Sequence, residues 1–246
     1  MGENKEYTAS QRMYNSLAPF YQKYASQRNS YIQAINNIVY DNLSLSAHLV
    51  LDLGAGDGKR LPNLLKDKEQ QITLICLVEN APKMVENMNV SSKYHIIQQD
   101  FSDTDFDLHQ QFDCITCLWN VMGHISKDHV LTALNNIAKH LSPSGFAIID
   151  INNRENIKQY GTHAVKNYFK DLFCYDYSNG DIHFQINVQN KQIESQVHLF
   201  SKAEFEKIIK QSDLQIQKCH YINYNTGKPE PFSFFGQLCY ILKRKI

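Results

Sequence analysis

Val50-Leu-Asp-Leu-Gly-Ala-Gly-Asp-Gly58 is the stretch of sequence that decides the fold. In it, a short apolar run ends at three glycines on alternate positions. A glycine has no Cβ, so it takes up positive φ easily and lets a ligand come close to the main chain. The stretch therefore predicts a buried strand that leads into a ligand-binding turn. The plainer alternative is a tight surface turn after a core strand.

A dinucleotide-binding turn is a competing interpretation, because its Gly-x-Gly-x-x-Gly pattern also follows a strand. The third glycine of that pattern lies three positions after the second, where it lets helix and strand pack closely. In this chain Lys59 occupies that position. The spacing argues against a nicotinamide-dependent oxidoreductase, which stays open as the least favoured alternative.

The composition describes an ordinary globular chain of one domain. Its 246 residues carry 25 Lys and Arg against 25 Asp and Glu, and this balance disfavours a broad nucleic-acid interface. No apolar run approaches the roughly 18 residues of a membrane span, so we expect a cytoplasmic protein without a nucleic-acid or membrane partner. Cys114 and Cys117 have the spacing of a metal or redox pair but lie in an apolar strand, and we expect no metal site.

Apolar runs alternate with segments of helical period from residue 31 to residue 151. The pattern predicts a helix over Tyr31–Leu43 and a Ser126-capped helix that stops at Ser142-Pro-Ser-Gly145. Alternating strands and helices indicate an α/β fold, a three-layer doubly wound sheet that is mostly parallel. The predicted strands are Leu49–Leu53, Ile72–Val78, Tyr94–Gln99, Phe112–Leu118 and Phe146–Ile151.

After Asn152 the pattern changes to alternating, more polar strands. Ile182–Gln189 and Gln192–Leu199 are predicted to form a small antiparallel β insertion, joined near Asn190. Ser201 and Glu204 form a capping box that starts a helix, and Leu214–Tyr224 and Phe234–Leu242 then close the sheet. The region is also rich in aromatic residues, which we expect to roof a substrate pocket; they are Tyr160, Tyr168, Phe169, Phe173, Tyr175, Tyr177, Tyr221 and Tyr224.

Polar residues follow the ends of the predicted strands, and ligands of a doubly wound sheet bind beyond those ends. Glu79 offers two acceptor oxygens, which suit the vicinal hydroxyls of a ribose. Asp100 and Phe101 together suit an adenine, with a carboxylate for the exocyclic amine and an aromatic wall for the ring. The remaining candidates at these ends are Asp52 with the glycine turn, Leu118-Trp119-Asn120, and Asp150-Ile-Asn-Asn-Arg154.

Together these strand ends resemble the class I S-adenosylmethionine-dependent methyltransferases over roughly residues 45 to 155. The resemblance implies a seven-stranded sheet with an antiparallel last strand, for which Phe234–Leu242 is suited, and S-adenosyl-L-methionine as the cofactor. It implies that the main chain of Gly54, Ala55 and Gly56 contacts the aminocarboxypropyl part. The other cofactor-binding positions that it implies are Asp52, Glu79 at the ribose, Asn80, Asp100 and Phe101 at the adenine, and Leu118, Trp119 and Tyr14.

The segment Tyr14–Tyr24 looks like the lid that precedes the first strand in small-molecule members of the family, with Pro19 allowing a bend. Tyr14 and Tyr21 would close over the cofactor; packing against a leading helix is the alternative. We therefore expect one domain, 1–246, made of a helical lid (1–45), a cofactor-binding core (46–152), and a substrate-side insertion with closing strands (153–246).

The acceptor is predicted to be a small molecule, with an amine nitrogen as the candidate atom. The Asn-Pro-Pro-aromatic signature of base amino-methylation is absent, and Asn120-Val-Met-Gly-His124 is similar to a segment of glycine and sarcosine N-methyltransferases. Asn120, His124 and Tyr21 are the candidate catalytic residues, with His124 binding or deprotonating the acceptor; the alternative is that His124 caps the next helix. A non-catalytic cofactor-binding partner or sensor remains the second function.

Overall fold

The computed structural model describes residues 7–44, 47–89, 91–188 and 191–245, and nine strands and nine α-helices lie within these ranges. The strands are β1 (Leu49–Leu53), β2 (Leu74–Glu79), β3 (Tyr94–Gln98), β4 (Phe112–Cys117), β5 (Leu141–Ile151), β6 (Asp181–Val188), β7 (Lys191–His198), β8 (Leu214–Ile222) and β9 (Gln237–Arg244). The helices are α1 (Ala9–Leu17), α2 (Tyr21–Ala25), α3 (Asn29–Asn42), α4 (Arg60–Leu64), α5 (Pro82–Glu86), α6 (Lys127–His140), α7 (Ile157–Tyr160), α8 (Thr162–Phe173) and α9 (Lys202–Gln211).

Seven strands form one sheet in the order β3-β2-β1-β4-β5-β9-β8. The pairs from β3 to β5 are parallel, and β9 runs antiparallel to both of its neighbours. Strand order reverses between β1 and β4, so the carboxyl ends of these two strands open the crevice in which doubly wound sheets bind ligands. The predicted α/β fold, seven-stranded and mostly parallel with an antiparallel last strand, is confirmed.

Helices cover both faces of the sheet and give it three layers. On one face α6 and α9 bury Leu134 and Phe205 against Leu51 and Leu53 of β1. On the other face α3 and α4 bury Ile35 and Leu61 in a cluster with Val50. Successive β1 side chains point to opposite faces, and both faces are apolar because both are covered.

The predicted insertion is also present. β6 and β7 form a separate antiparallel sheet whose register runs from Asp181 opposite His198 to Val188 opposite Lys191. The predicted turn at Gln189 and Asn190 lies outside the described residues, as does the predicted boundary between residues 45 and 46. α9 begins with the predicted capping box, in which Ser201 Oγ accepts the Glu204 N–H at 3.2 Å.

Two details of the prediction were wrong. β5 begins at Leu141 rather than at Phe146, because the Ser-Pro-Ser-Gly segment that ends α6 continues in extended conformation beside β4. The helix α8 was missed, since its aromatic residues were interpreted as a pocket roof. Its apolar side chains are largely exposed; Phe173, for example, is 75% exposed.

Candidate active site

The glycine turn leaves β1 in a conformation that requires glycine. Gly54, Gly56 and Gly58 have φ of 72°, 61° and 69°, a region that side chains with a Cβ rarely adopt. A Cβ on Gly56 would lie 2.8 Å from the Tyr21 hydroxyl oxygen, and one on Gly54 would lie 2.6 Å from Val121. The turn therefore requires glycine at these positions, both for its φ values and because Tyr21 and Val121 pack closely against its main chain.

Glu79 ends β2 and organises the turn next to it. Its Oε2 accepts the N–H of Gly56 at 2.9 Å, and its Oε1 accepts those of Asn80 and Ala81 at 3.0 and 2.9 Å. Burial raises the pKa of Glu79 to about 7, and these three hydrogen bonds oppose that rise. The carboxylate thus joins the glycine turn to the end of β2 and still faces the cavity.

Asp100 follows β3 and is held by its neighbours. Its Oδ1 accepts from the main chain and hydroxyl of Ser102 at 2.9 and 2.7 Å, and its Oδ2 accepts from Asn80 Nδ2 at 3.0 Å. Phe101 beside it is buried, and its carbonyl accepts from Asn136 Nδ2 at 2.9 Å. A carboxylate, an amide and an aromatic ring are therefore fixed together at one end of the cavity.

A cavity of about 700 Å³ runs over these strand ends. Eleven of the predicted site residues line it. They are Tyr14, Tyr21, Gly54, Gly56, Glu79, Asn80, Asp100, Phe101, Leu118, Trp119 and His124. Helix α1 and the hairpin β6–β7 close the cavity from above, since α1 packs against β7.

Asp52 and Ala55 line a second cavity of about 490 Å³ on the α3 and α4 side of the glycine turn. The two cavities share Tyr21, Gly54, Leu118 and Trp119, so they meet at the turn. Arg60 faces the second cavity, with Nε donating to Asn36 Oδ1 at 2.8 Å. Its buried Nη2 has no hydrogen-bond partner within the described part of the chain, which leaves a cationic donor free for an anion. Sequence reasoning missed Arg60.

His124 lines the same cavity as Asp100. Its Nε2 lies 3.3 Å from the Tyr14 hydroxyl, and the two rings meet edge to face with centroids 5.4 Å apart. Burial lowers the pKa of His124 to about 4, so the imidazole is neutral near pH 7. A neutral imidazole has one nitrogen that accepts a hydrogen bond or a proton.

The side chain of Asn120 is engaged with the main chain. Its Oδ1 accepts the Asn152 N–H at 2.8 Å, its amide packs against Gly123, and the residue lines neither cavity. Trp119 and Asn120 both have left-handed backbones, with φ of 66° and 61°. Such conformations cost of order 1–3 kcal/mol each and gather at functional sites.

The insertion supplies a wall of the cavity that sequence reasoning missed. Tyr177, Asp181, Gln196 and His198 line it. His198 Nδ1 lies 2.7 Å from Asp181 Oδ1 and its Nε2 lies 3.3 Å from Glu204 Oε2, while the Tyr177 ring stacks on the imidazole with centroids 3.9 Å apart. The alternation of hydrophobic and polar residues in the hairpin showed that one face was buried, but not that this face met His124.

Most of the predicted aromatic roof lies elsewhere. Of its eight residues, Tyr177 alone lines the first cavity. Tyr168, Phe169, Phe173 and Tyr175 are exposed on or just after α8, because the helix turns its apolar stripe outward. The roof is formed instead by α1 and β7.

Comparison with known proteins places this site in a class. A family model described as a methyltransferase domain matches residues 50–145, whereas no curated protein matches the chain by sequence. The structure of an S-adenosylmethionine-dependent methyltransferase from Clostridium acetobutylicum is similar at 18% identity, over 95% of this chain and 100% of the other, with a TM-score of 0.63.

Two further solved structures are similar in fold. A sugar N-methyltransferase from a Streptoalloteichus species has 14% identity over 100% of this chain and 96% of its own, with a TM-score of 0.60. An amino pentose methyltransferase from Micromonospora echinaspora, solved with S-adenosylmethionine bound, has 13% identity over all of both chains and a TM-score of 0.56.

The seven-stranded sheet therefore has the fold of the class I S-adenosylmethionine-dependent methyltransferases. The chain carries a match to a methyltransferase domain at residues 50–145. Over the described residues, no helix is long and apolar enough to cross a membrane. In the same ranges, no three His, Cys, Asp or Glu residues are grouped so that they could hold a metal ion.

Proposed function

We propose that the protein transfers the methyl group of S-adenosylmethionine to an amine nitrogen of a small-molecule acceptor. The observation that carries this proposal is the roofed cavity, which is lined both by nucleoside-type groups around Asp100 and by a neutral His124. Its volume of about 700 Å³ lies within the range of about 300–1,000 Å³ for small-molecule sites. A roof made of α1 and β7 suits an acceptor that fits inside.

The residues present fit the cofactor. Glu79 would bind the ribose hydroxyls, Asp100 and Asn80 the adenine edge, and Phe101 the adenine face. Gly54 and Gly56 line the cavity with main chain that carries no side chain, which suits a ligand lying against it. The second cavity opens from this point, and there Arg60 would bind the carboxylate of the amino-acid end.

The acceptor end supports an amine. Asp181 presents a carboxylate to the cavity and Tyr177 presents an aromatic ring; carboxylates and aromatic faces both attract ammonium groups. Two of the similar structures are named as a sugar N-methyltransferase and an amino pentose methyltransferase. These names describe the other proteins, and they favour an aminated small molecule as the first acceptor class to test.

Methyl transfer to nitrogen is an in-line displacement. S-adenosylmethionine supplies a sulfonium methyl; the nitrogen lone pair forms the new N–C bond as the C–S bond breaks, and the bonding electrons stay on sulfur. The protein contributes mainly position, and orientation of two reactants is worth up to about 7–11 kcal/mol. An acceptor bound as an ammonium must first lose one proton to free its lone pair, and His124, neutral near pH 7, would accept that proton.

Labelled-methyl transfer tests the proposal. The protein is incubated with methyl-labelled S-adenosylmethionine and a panel of primary amines, amino sugars among them, each paired with the alcohol of the same skeleton. We expect label on nitrogen and an equal yield of S-adenosylhomocysteine. Transfer to alcohols alone would contradict the amine acceptor, and tight S-adenosylmethionine binding without transfer to any acceptor would favour a cofactor-binding partner or sensor.

A further inference from the structure

The turn after β4 is strained at two consecutive positions. Trp119 and Asn120 both lie in the left-handed region, with φ of 66° and 61°, and that region is a genuine outlier for a residue as bulky as tryptophan. Such a conformation persists only where the surroundings fix it. The contacts that fix this turn are therefore part of the site.

Asp150 at the end of β5 makes those contacts. Its Oδ1 accepts the Trp119 N–H at 2.6 Å, and its main-chain carbonyl accepts the Asn120 N–H at 3.2 Å. Its Oδ2 accepts the hydroxyl of Tyr31 on α3 at 2.8 Å. Asp150 and Tyr31 are each 1% exposed and line neither cavity, so their polar atoms serve the turn rather than a ligand.

The Trp119–Asn120 turn also determines where the indole ring of Trp119 lies. This ring lies at the junction of the two cavities. Two lid tyrosines pack on it, Tyr21 with ring centroids 5.9 Å apart and Tyr24 with centroids 5.7 Å apart. Trp119 is thus held through its main chain from below and is the surface on which the N-terminal segment rests from above.

We propose that Asp150 and Tyr31 are positioning residues, which hold the Trp119–Asn120 turn in its left-handed conformation and thereby fix the indole ring against which the lid tyrosines close over the cofactor. The inference rests on the proposed position of the cofactor between the glycine turn and Trp119. Loss of the Tyr31 hydroxyl leaves one oxygen of a buried carboxylate without its donor, which frees the carboxylate to turn away from Trp119.

Trp119 is the only tryptophan of the chain, so its fluorescence reports on this turn alone. Tyr31→Phe and D150N are compared with Tyr240→Phe, which removes the hydroxyl of another fully buried tyrosine, on β9 and packed against Phe205. Circular dichroism checks that each variant is folded. Tryptophan emission is recorded with and without S-adenosylhomocysteine, and calorimetry gives the dissociation constant.

In the native protein we expect S-adenosylhomocysteine to change the Trp119 emission. In folded Tyr31→Phe and D150N, we expect shifted emission before ligand is added and a dissociation constant raised roughly 5- to 30-fold, the size of one lost buried hydrogen bond. Tyr240→Phe should match the native protein in both measurements.

The possible outcomes distinguish an error in the proposed cofactor position from an error in the proposed role of Asp150 and Tyr31. If S-adenosylhomocysteine binds the native protein without changing Trp119 emission, the proposed position of the cofactor is wrong. If the native emission does respond but folded Tyr31→Phe and D150N match Tyr240→Phe in emission and affinity, the positioning role is wrong. If D150N does not fold, Tyr31→Phe decides the question, since it removes one oxygen atom and keeps the ring.

Discussion

The donor end and the acceptor end of the cavity are built in different ways. The donor end comes from the consecutive ends of β1, β2, β3 and β4, where each contact follows directly from a strand. The acceptor end combines α1, the turn Val121–His124, the turn Tyr177–Gly180 and β7, which lie far apart in the chain. Under the proposed function, recognition of the cofactor is therefore local in sequence, and recognition of the acceptor depends on tertiary packing.

The variant His124→Ala tests this difference between the two ends and has the largest expected effect. If the imidazole accepts the proton of the acceptor nitrogen, kcat should fall about 10²- to 10⁴-fold, while the dissociation constant of S-adenosylhomocysteine stays within twofold. His129→Ala is the matched control, because His129 lines the same cavity but is exposed. Equal turnover of His124→Ala and native protein on the same amine would remove His124 from the mechanism.

Arg60→Met tests the donor end through binding alone. We expect the dissociation constant of S-adenosylhomocysteine to rise about 10- to 100-fold, because a hydrogen bond between charged groups is worth about 1.5–3 kcal/mol. Methylthioadenosine has no amino-acid end, so its affinity should not change. Lys59→Met removes the neighbouring cation, which pairs with Asp57, and serves as control. Equal weakening of both ligands would show that Arg60 supports the fold rather than the carboxylate.

The contributions of Glu79 and His124 to the free energy of unfolding should change with pH in opposite directions. Burial raises the pKa of Glu79 to about 7, so the folded state binds more protons there than the unfolded state between about pH 4.5 and 7. Its carboxyl therefore destabilises the protein progressively as the pH rises through that window. Burial lowers the pKa of His124 to about 4, so its contribution to stability is lost as the pH falls from about 6.5 to about 4.

Urea unfolding at pH 5 and pH 7 measures both effects. The difference in unfolding free energy between Glu79→Gln and the native protein should shift in favour of the variant by about 1–3 kcal/mol from pH 5 to pH 7. The same difference for His124→Asn should shift in favour of its variant from pH 7 to pH 5. Shifts of the same sign at the two positions would contradict the burial of one of them.

The sequence was informative in proportion to how local each feature is. Gly54, Gly56 and Gly58 predict their own turn because positive φ is a property of single residues, and the succession of strands and helices along the chain follows from alternating periods. Arg60 could not be found in this way, since its free guanidinium is visible only once Asn36 has used the Nε. His198 was equally hidden: its partners Asp181 and Glu204 meet it only after β6 pairs with β7 and α9 packs beside them.

The aromatic residues after Asn152 show where prediction from composition fails. Composition predicted a roof there, but α8 directs Phe169 and Phe173 to solvent, and Tyr177 alone reaches the cavity. Aromatic content indicates that a surface can bind something; it does not say which surface. Only the packing of α1 on β7 decides which side chains face the acceptor.

The variant with the smallest expected effect tests whether the packing of α1 on β7 lets Asp181 recognise a cationic acceptor. Asp181→Asn keeps an oxygen for His198 but removes the negative charge that faces the cavity. We expect the KM of an amine acceptor to rise roughly 3- to 5-fold with kcat nearly unchanged, because a partly exposed ion pair is worth at most about 1 kcal/mol. Asp176→Asn removes a charge from the same cavity, where that carboxylate instead accepts from Ser178, and should leave KM within twofold. If both variants raise KM equally, the cavity attracts cations by its general field, and the ordered contact between Asp181 and His198 has no role in choosing the acceptor.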